Sequence, residues 1–123
     1  MKRILIVDDA ATVRMFHRSI LESADYKVEE AVNGVEALEK ALQSNFDLYI
    51  VDVNMPKLHG YGFLSELRQR EIPQAPAIMI STESEDSDQA EAYASGANAF
   101  MIKPTKPDQL ILQVRILIGD ATL

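Results

Sequence analysis

Five short apolar runs rich in valine and isoleucine alternate along the chain with longer segments whose apolar residues recur at helical spacing. That alternation predicts an α/β fold in which a doubly wound, five-stranded parallel sheet is covered on both faces by helices. The runs Arg3–Val7, Lys27–Ala31, Leu48–Val51, Ala77–Ile80 and Ala99–Ile102 read as strands. The second alternates most with charged residues and reads as a half-exposed edge. The first helical segment carries Val13, Phe16, Ile20 and Leu21, and the second Val35, Leu38, Ala41 and Leu42, so each has a stripe to bury. Asn33-Gly34 and Gly60 supply turn chemistry before the second and third helices, and Ser95-Gly96 reads as a helix stop. The segment Ser84–Ser95 offers little beyond Ala90, Ala92, Ala94 and Tyr93, which predicts the least anchored helix. Pro107 suits the first position of a last helix running to about Ile118. There Leu110, Ile111, Val114, Leu117 and Ile118 form the covering stripe, leaving Leu112 and Ile116 on the opposite side.

Length and composition narrow the picture. With 123 residues, 47% of them hydrophobic, the chain suffices for one ordinary core, so residues 1–123 read as one domain. A formal charge of −7 argues against a direct grip on nucleic-acid backbones, which depends on clustered lysine and arginine. Cysteine is absent, and His17 and His59 cannot build a zinc site alone, which is compatible with a reducing cytoplasm. Only Ile4, Leu5, Ile6 and Val7 separate Lys2-Arg3 from Asp8-Asp9, too short a run for a signal-peptide core or membrane span.

Chemistry in a doubly wound sheet is expected beyond the C-terminal strand ends, where strand order reverses. Asp8 and Asp9 follow the first strand directly, and Asp52 ends the third, so the three carboxylates converge if those strands are neighbours. Carboxylates at close range raise one another's pKa and need a cation or a lysine to stay ionised. Mg²⁺ is apt, because it takes oxygen ligands and is commonly held by one or two carboxylates together with a phosphate oxygen. Ser81 closes the fourth strand and Lys103 the fifth. A carboxylate can act as a nucleophile toward phosphorus, and the charge on the transferring group must be met by a metal and by cationic or hydroxyl donors. Asp52 fits the first role, and Lys103 and Ser81 fit the second.

Asp8-Asp9, Asp52 followed by Met55-Pro56 and Gly60, Ser81-Thr82 and Lys103-Pro104 together resemble the receiver domain of two-component response regulators. The resemblance spans essentially the whole chain and is nearest to single-domain chemotaxis regulators of the CheY type, which share this doubly wound architecture. It implies a flavodoxin-like strand order 2-1-3-4-5 and phosphorylation of Asp52 by a histidine kinase. It also implies Mg²⁺ bound by Asp9, Asp52 and the Asn54 carbonyl, with Asp8 acting through water. A switch would run through Ser81 and Phe100, with a possible cis peptide at Lys103-Pro104. Asn54 and Glu83 resemble chemotaxis members at positions that tune water attack on the acyl phosphate, and Thr82 stands between Ser81 and Glu83. Phe100 departs from the tyrosine usual there, so a hydroxyl contact to a partner is lost. Such a protein is a switch with self-catalysed phosphotransfer and autodephosphorylation, not a turnover enzyme.

Plainer readings exist for single residues. Asp8-Asp9 alone could cap a helix, Phe100 could be core, and His17 and His59 read as partly buried or solvated imidazoles. A haloacid-dehalogenase-type aspartyl phosphatase also uses Mg²⁺ and an aspartate nucleophile, but it requires two aspartates one residue apart. This chain has Asp8-Asp9-Ala10 and Asp52-Val53-Asn54 instead. A phosphorelay intermediate or a phosphate sink stays open. No output domain follows in the sequence, so the expected readout is binding in trans to a target such as the flagellar motor switch, or to a phosphatase. Leu112 and Ile116 mark the expected partner face, or that of a phosphorylation-dependent dimer.

Overall fold

A computed structural model describes residues 1–82 and 86–119, including the backbone but not the side chain of Asp86. Strands β1 (Arg3–Val7), β2 (Lys27–Ala31), β3 (Leu48–Asp52), β4 (Ala77–Ser81) and β5 (Ala99–Ile102) pair in the order β2-β1-β3-β4-β5, all parallel. Helices α1 (Ala11–Ser23), α2 (Gly34–Gln43), α3 (Gly60–Arg68), α4 (Asp86–Ser95) and α5 (Pro107–Ile118) follow the strands in turn. The sheet is therefore the expected flavodoxin-like one. β3 and β4 each run one residue beyond their apolar runs, which makes Asp52 and Ser81 the last residues of their strands. Among the described residues, no helix is long and apolar enough to cross a membrane.

Strand residues alternate between two cores because successive side chains leave opposite faces of a sheet. Leu5, Val7, Tyr49, Val51 and Met79 face α2, α3 and α4, where Ala37, Phe63, Leu64 and Ala92 are buried. Ile4, Ile6, Ile50, Ile78 and Ile80 face α1 and α5, meeting Ile20, Leu21, Leu110 and Val114. β2 lies at the edge as expected, with Glu29 and Glu30 half-buried on it.

The helix stripes differ from the sequence expectation in detail. Phe16, Val35 and Leu42 are exposed, while α1 buries His17, Ile20 and Leu21, and α2 buries Gly34, Ala37 and Ala41. Small residues on α2 let its backbone approach the sheet, and the bulkier residues are displaced to the flanks of the contact. α4 buries only Ala92 among its described side chains and leaves Tyr93 half in solvent. The earlier start expected for this helix, at Ser84, falls outside the described residues. Its C-terminal end is strapped: the Arg68 guanidinium donates to the Gly96 carbonyl at 2.9 and 3.1 Å and to the Ala75 carbonyl at 2.7 Å. Gly96 has φ +118°, a left-handed conformation that suits glycine after a helix.

Two histidines have definite structural roles. His17 is buried with Nε2 2.9 Å from the Thr105 hydroxyl, which ties α1 to the segment after β5. His59, expected to be solvated in a loop, is the N-cap of α3, its Nδ1 accepting the Gly62 N–H at 3.2 Å. Asn33 caps α2 by accepting the Glu36 N–H at 2.9 Å.

Candidate functional site

β1 lies between β2 and β3, so chain order reverses at β1, and Val7 stands in register with Val51. The residues that leave those two strands, Asp8 and Asp52, are thereby set side by side at the carboxyl edge of the sheet. Asp8, Asp9 and Asp52 each present a carboxylate oxygen within 4.8 Å of the others. Asp8 and Asp52 are buried and Asp9 is exposed. β5 brings the fourth member: Lys103 Nζ lies 3.0 Å from Asp8 Oδ2 and 2.9 Å from Asp52 Oδ1. The Lys103-Pro104 peptide is cis.

The helix-cap reading of Asp8 does not hold. The N-cap of α1 is Ala10, with no side-chain bond, and Asp8 Oδ1 instead accepts the Ala10 N–H at 2.9 Å across a tight turn. That bond engages Oδ1, while Oδ2 meets Lys103.

Electrostatics at the cluster follow from burial. Burial pushes the Asp52 carboxyl above its usual value, and the charges of Asp8 and Asp9 add to this against the Lys103 hydrogen bond. For Lys103, burial works downward but the bonds to Asp52 and Asp8 prevail, holding the ammonium above its usual value. Three carboxylates against one ammonium leave two negative charges in a confined site, which a divalent cation would balance. All donors are oxygens, with neither imidazole nor thiolate in the cluster, a set that suits Mg²⁺ better than zinc.

The remaining expected residues are placed as follows. Ser81 is buried at the end of β4 in register with Ile102, and its carbonyl accepts the Lys103 N–H at 2.8 Å. Thr82 and Asn54 are exposed beside the strand ends, and Val53 extends the β3–β4 ladder through its N–H to the Ile80 carbonyl at 3.1 Å. Phe100 is half-buried against the core on the α2–α4 face, in register with Met79. Leu112 and Ile116 are exposed on α5, and Leu112 joins Phe100, Ile102 and Lys106 in a groove of about 520 Å³. Ile116 does not line that groove. Glu83 lies outside the described residues.

Arg14 escaped the sequence reading. Its Nη1 donates to the Asp8 carbonyl at 2.7 Å while Nε donates to Glu30 at 2.8 Å, so one side chain braces the Asp8-Asp9 turn against the edge strand. Arg18 adds a second bond to Glu30 at 2.7 Å. The only signal for this is spacing, since Arg14 falls within the first turn of α1, after Asp8.

A model of the response regulator receiver domain matches residues 4–115. The transcriptional regulatory protein ResD of Bacillus subtilis is 32% identical over 98% of this chain, a match covering 49% of ResD. SrrA of Staphylococcus aureus is 33% identical over 94% of this chain and 47% of its own. The chain thus spans about half the length of these curated relatives. Among solved structures, the chemotaxis protein CheY4 of Vibrio cholerae is similar with a TM-score of 0.88 and 36% identity, over 95% of this chain and 98% of CheY4. With the reversed strand order, the carboxylate cluster at the reversal point and these matches in agreement, the chain belongs to the response regulator receiver family of two-component systems.

Proposed function

We propose that Asp52 accepts a phosphoryl group from the phosphohistidine of a histidine kinase, and that residues 1–123 act as one receiver domain that passes this change on by binding. The observation that carries the reading is Lys103 Nζ between Asp8 Oδ2 and Asp52 Oδ1, with Asp9 completing the carboxylate group. An Asp52 oxygen attacks phosphorus, the P–O bond forms, the P–N bond to the imidazole breaks, and the leaving nitrogen takes up a proton. Lys103 meets the charge on the phosphoryl oxygens, and the Ser81 hydroxyl supplies a further donor. Asp9, Asp52 and the Asn54 carbonyl would hold Mg²⁺, with Asp8 acting through water, and the ion would supply charge neutralisation at the phosphoryl group.

The output runs through the groove where Leu112 and Phe100 meet, with Ile116 one turn further along α5. Ser81, drawn toward a phosphoryl group, vacates space into which Phe100 turns, with Thr82 and Glu83 tuning the lifetime of the phosphorylated state. A phosphorylation-dependent dimer and a protein target such as the flagellar motor switch are the two occupants this face fits, both in the cytoplasm. Labelling with radioactive acetyl phosphate and Mg²⁺ tests the acceptor. Wild type becomes labelled and Asp52→Asn does not; undiminished labelling of Asp52→Asn would overturn the assignment.

A further inference from the structure

Between Asp52 and α3 the chain makes a loop, Val53 to His59, that carries Asn54 beside the acidic cluster. Two consecutive non-glycine residues in it, Lys57 and Leu58, adopt left-handed conformations with φ of 54° and 61°. Such conformations cost energy in residues with a Cβ and persist where surrounding structure holds them. Glycine contacts hold the loop at two points. At its exit, the Gly60 N–H donates to the Val53 carbonyl at 3.0 Å, and a Cβ on Gly60 would collide with the Asp52 carbonyl. At its outer bend, the Leu58 carbonyl accepts the Gly34 N–H at 3.1 Å.

Gly34 is the first residue of α2, where a backbone N–H has no partner within its own helix. Its need for glycine is one of space, not of turn conformation. A Cβ there would land on the Leu58 carbonyl oxygen and lie 2.8 Å from Leu58 Cβ and 2.9 Å from its carbonyl carbon. Backbone cannot yield as a flexible side chain can, so any larger residue must drive the loop and α2 apart. The contrast is Gly62, whose Cβ would meet only the Cδ1 end of the Leu58 side chain at 2.7 Å as its nearest neighbour.

We infer that Gly34 is a positioning residue for the metal site: by seating the Leu58 carbonyl against the first turn of α2, it fixes the loop that presents Asn54. This rests on the proposed role of the Asn54 carbonyl toward Mg²⁺. Coupling of this kind is reciprocal, so an ion that fixes the loop at Asn54 also tightens the Gly34–Leu58 bond.

The test is Mg²⁺ titration by calorimetry of wild type, Gly34→Ala and Gly62→Ala, with melting temperatures measured alongside. Gly34→Ala is expected to bind Mg²⁺ at least tenfold more weakly, whereas Gly62→Ala stays within twofold of wild type. A purely structural role would lower the melting temperature of Gly34→Ala and leave the affinity of the folded protein unchanged, which overturns the inference. Should Gly34→Ala fail to fold, amide hydrogen exchange of wild type decides. Saturating Mg²⁺ is expected to slow exchange at Gly34 at least fivefold relative to Ser44, whose N–H bonds within α2 to the Lys40 carbonyl. Equal response at the two amides overturns the inference. A wild type that binds no Mg²⁺ overturns the functional reading and this inference with it; normal binding with an unaffected Gly34→Ala overturns the inference alone.

Discussion

Helices α1 and α4 both begin beyond the carboxyl edge of the sheet, and they are secured in different ways. α1 buries Ile20 and Leu21, and its polar residues are bonded outward from it: Arg14 and Arg18 to Glu30, Arg14 to the Asp8 carbonyl, and His17 to Thr105. α4 buries Ala92, and the Tyr61 hydroxyl reaches the Asp88 carbonyl at a long 3.4 Å. Under the proposed function the α1 side, which braces the turn carrying Asp8 and Asp9, has to be stiff, because misplacement forfeits the geometry that phosphoryl transfer requires. Under the same proposal, the side that reports the change must have little stability of its own to lose. The contrast makes α1 the better-anchored helix and leaves α4 as the one the proposed function would have respond.

The largest test of that contrast is Arg14→Ala. It removes the donor to the Asp8 carbonyl and one of two partners of Glu30, in a setting where both side chains are largely screened from water. Truncating such a pair is expected to cost about 2 kcal/mol in denaturant unfolding. A loss below about 0.5 kcal/mol would mean that α1 is no better anchored than α4.

An intermediate effect is expected from pH. Burial holds the His17 imidazole below its ordinary value, with Lys103 acting in the same direction and Asp8 against it. The unfolded chain then takes up a proton that the folded chain refuses. The contribution is fully present above the unfolded histidine value of about 6.5 and is lost as pH falls below it, at up to about 1.4 kcal/mol per pH unit. His17→Gln is expected to flatten that part of the stability profile between pH 7 and 5. A profile identical to that of wild type would remove His17 from the contacts that anchor α1.

The smallest effect sharpens the other side. Tyr93→Ala is expected to change stability by no more than about 0.5 kcal/mol, because the ring is half in solvent on a helix with one buried side chain among those described. A cost above about 1.5 kcal/mol would show α4 to be anchored through its aromatic residue.

The strands and their two-faced burial are legible because alternation is a property of the local sequence, and every strand begins where its apolar run begins. The gathering of Asp8, Asp9, Asp52 and Lys103 was readable because strand ends inherit their neighbourhood from the topology. Helix faces were read less well. Phe16, Val35 and Leu42 have the chemistry of buried residues, yet hydrophobicity says only that a residue can be buried, and alanine at 37 and 41 decides which face of α2 approaches. Gly34 was read as a turn glycine because its real constraint, the Leu58 carbonyl, comes from 24 positions further along the chain. Arg14 was invisible for a related reason: its partner at Asp8 is a main-chain oxygen, which every residue possesses.

The Arg68 strap gives α4 the mechanics of a lever. Its fulcrum is at Gly96, where the guanidinium grips the carbonyl, and ten helical residues put its other end about 15 Å away. A swing of about 10° around that point would carry the Asp86 end through roughly 2.6 Å while the Gly96 end stayed in place. A displacement entering at the Asp86 end, which follows β4, thus fades along the helix toward Gly96, and a label on Tyr93, near the fulcrum, would register far less of the swing than one on Ser87.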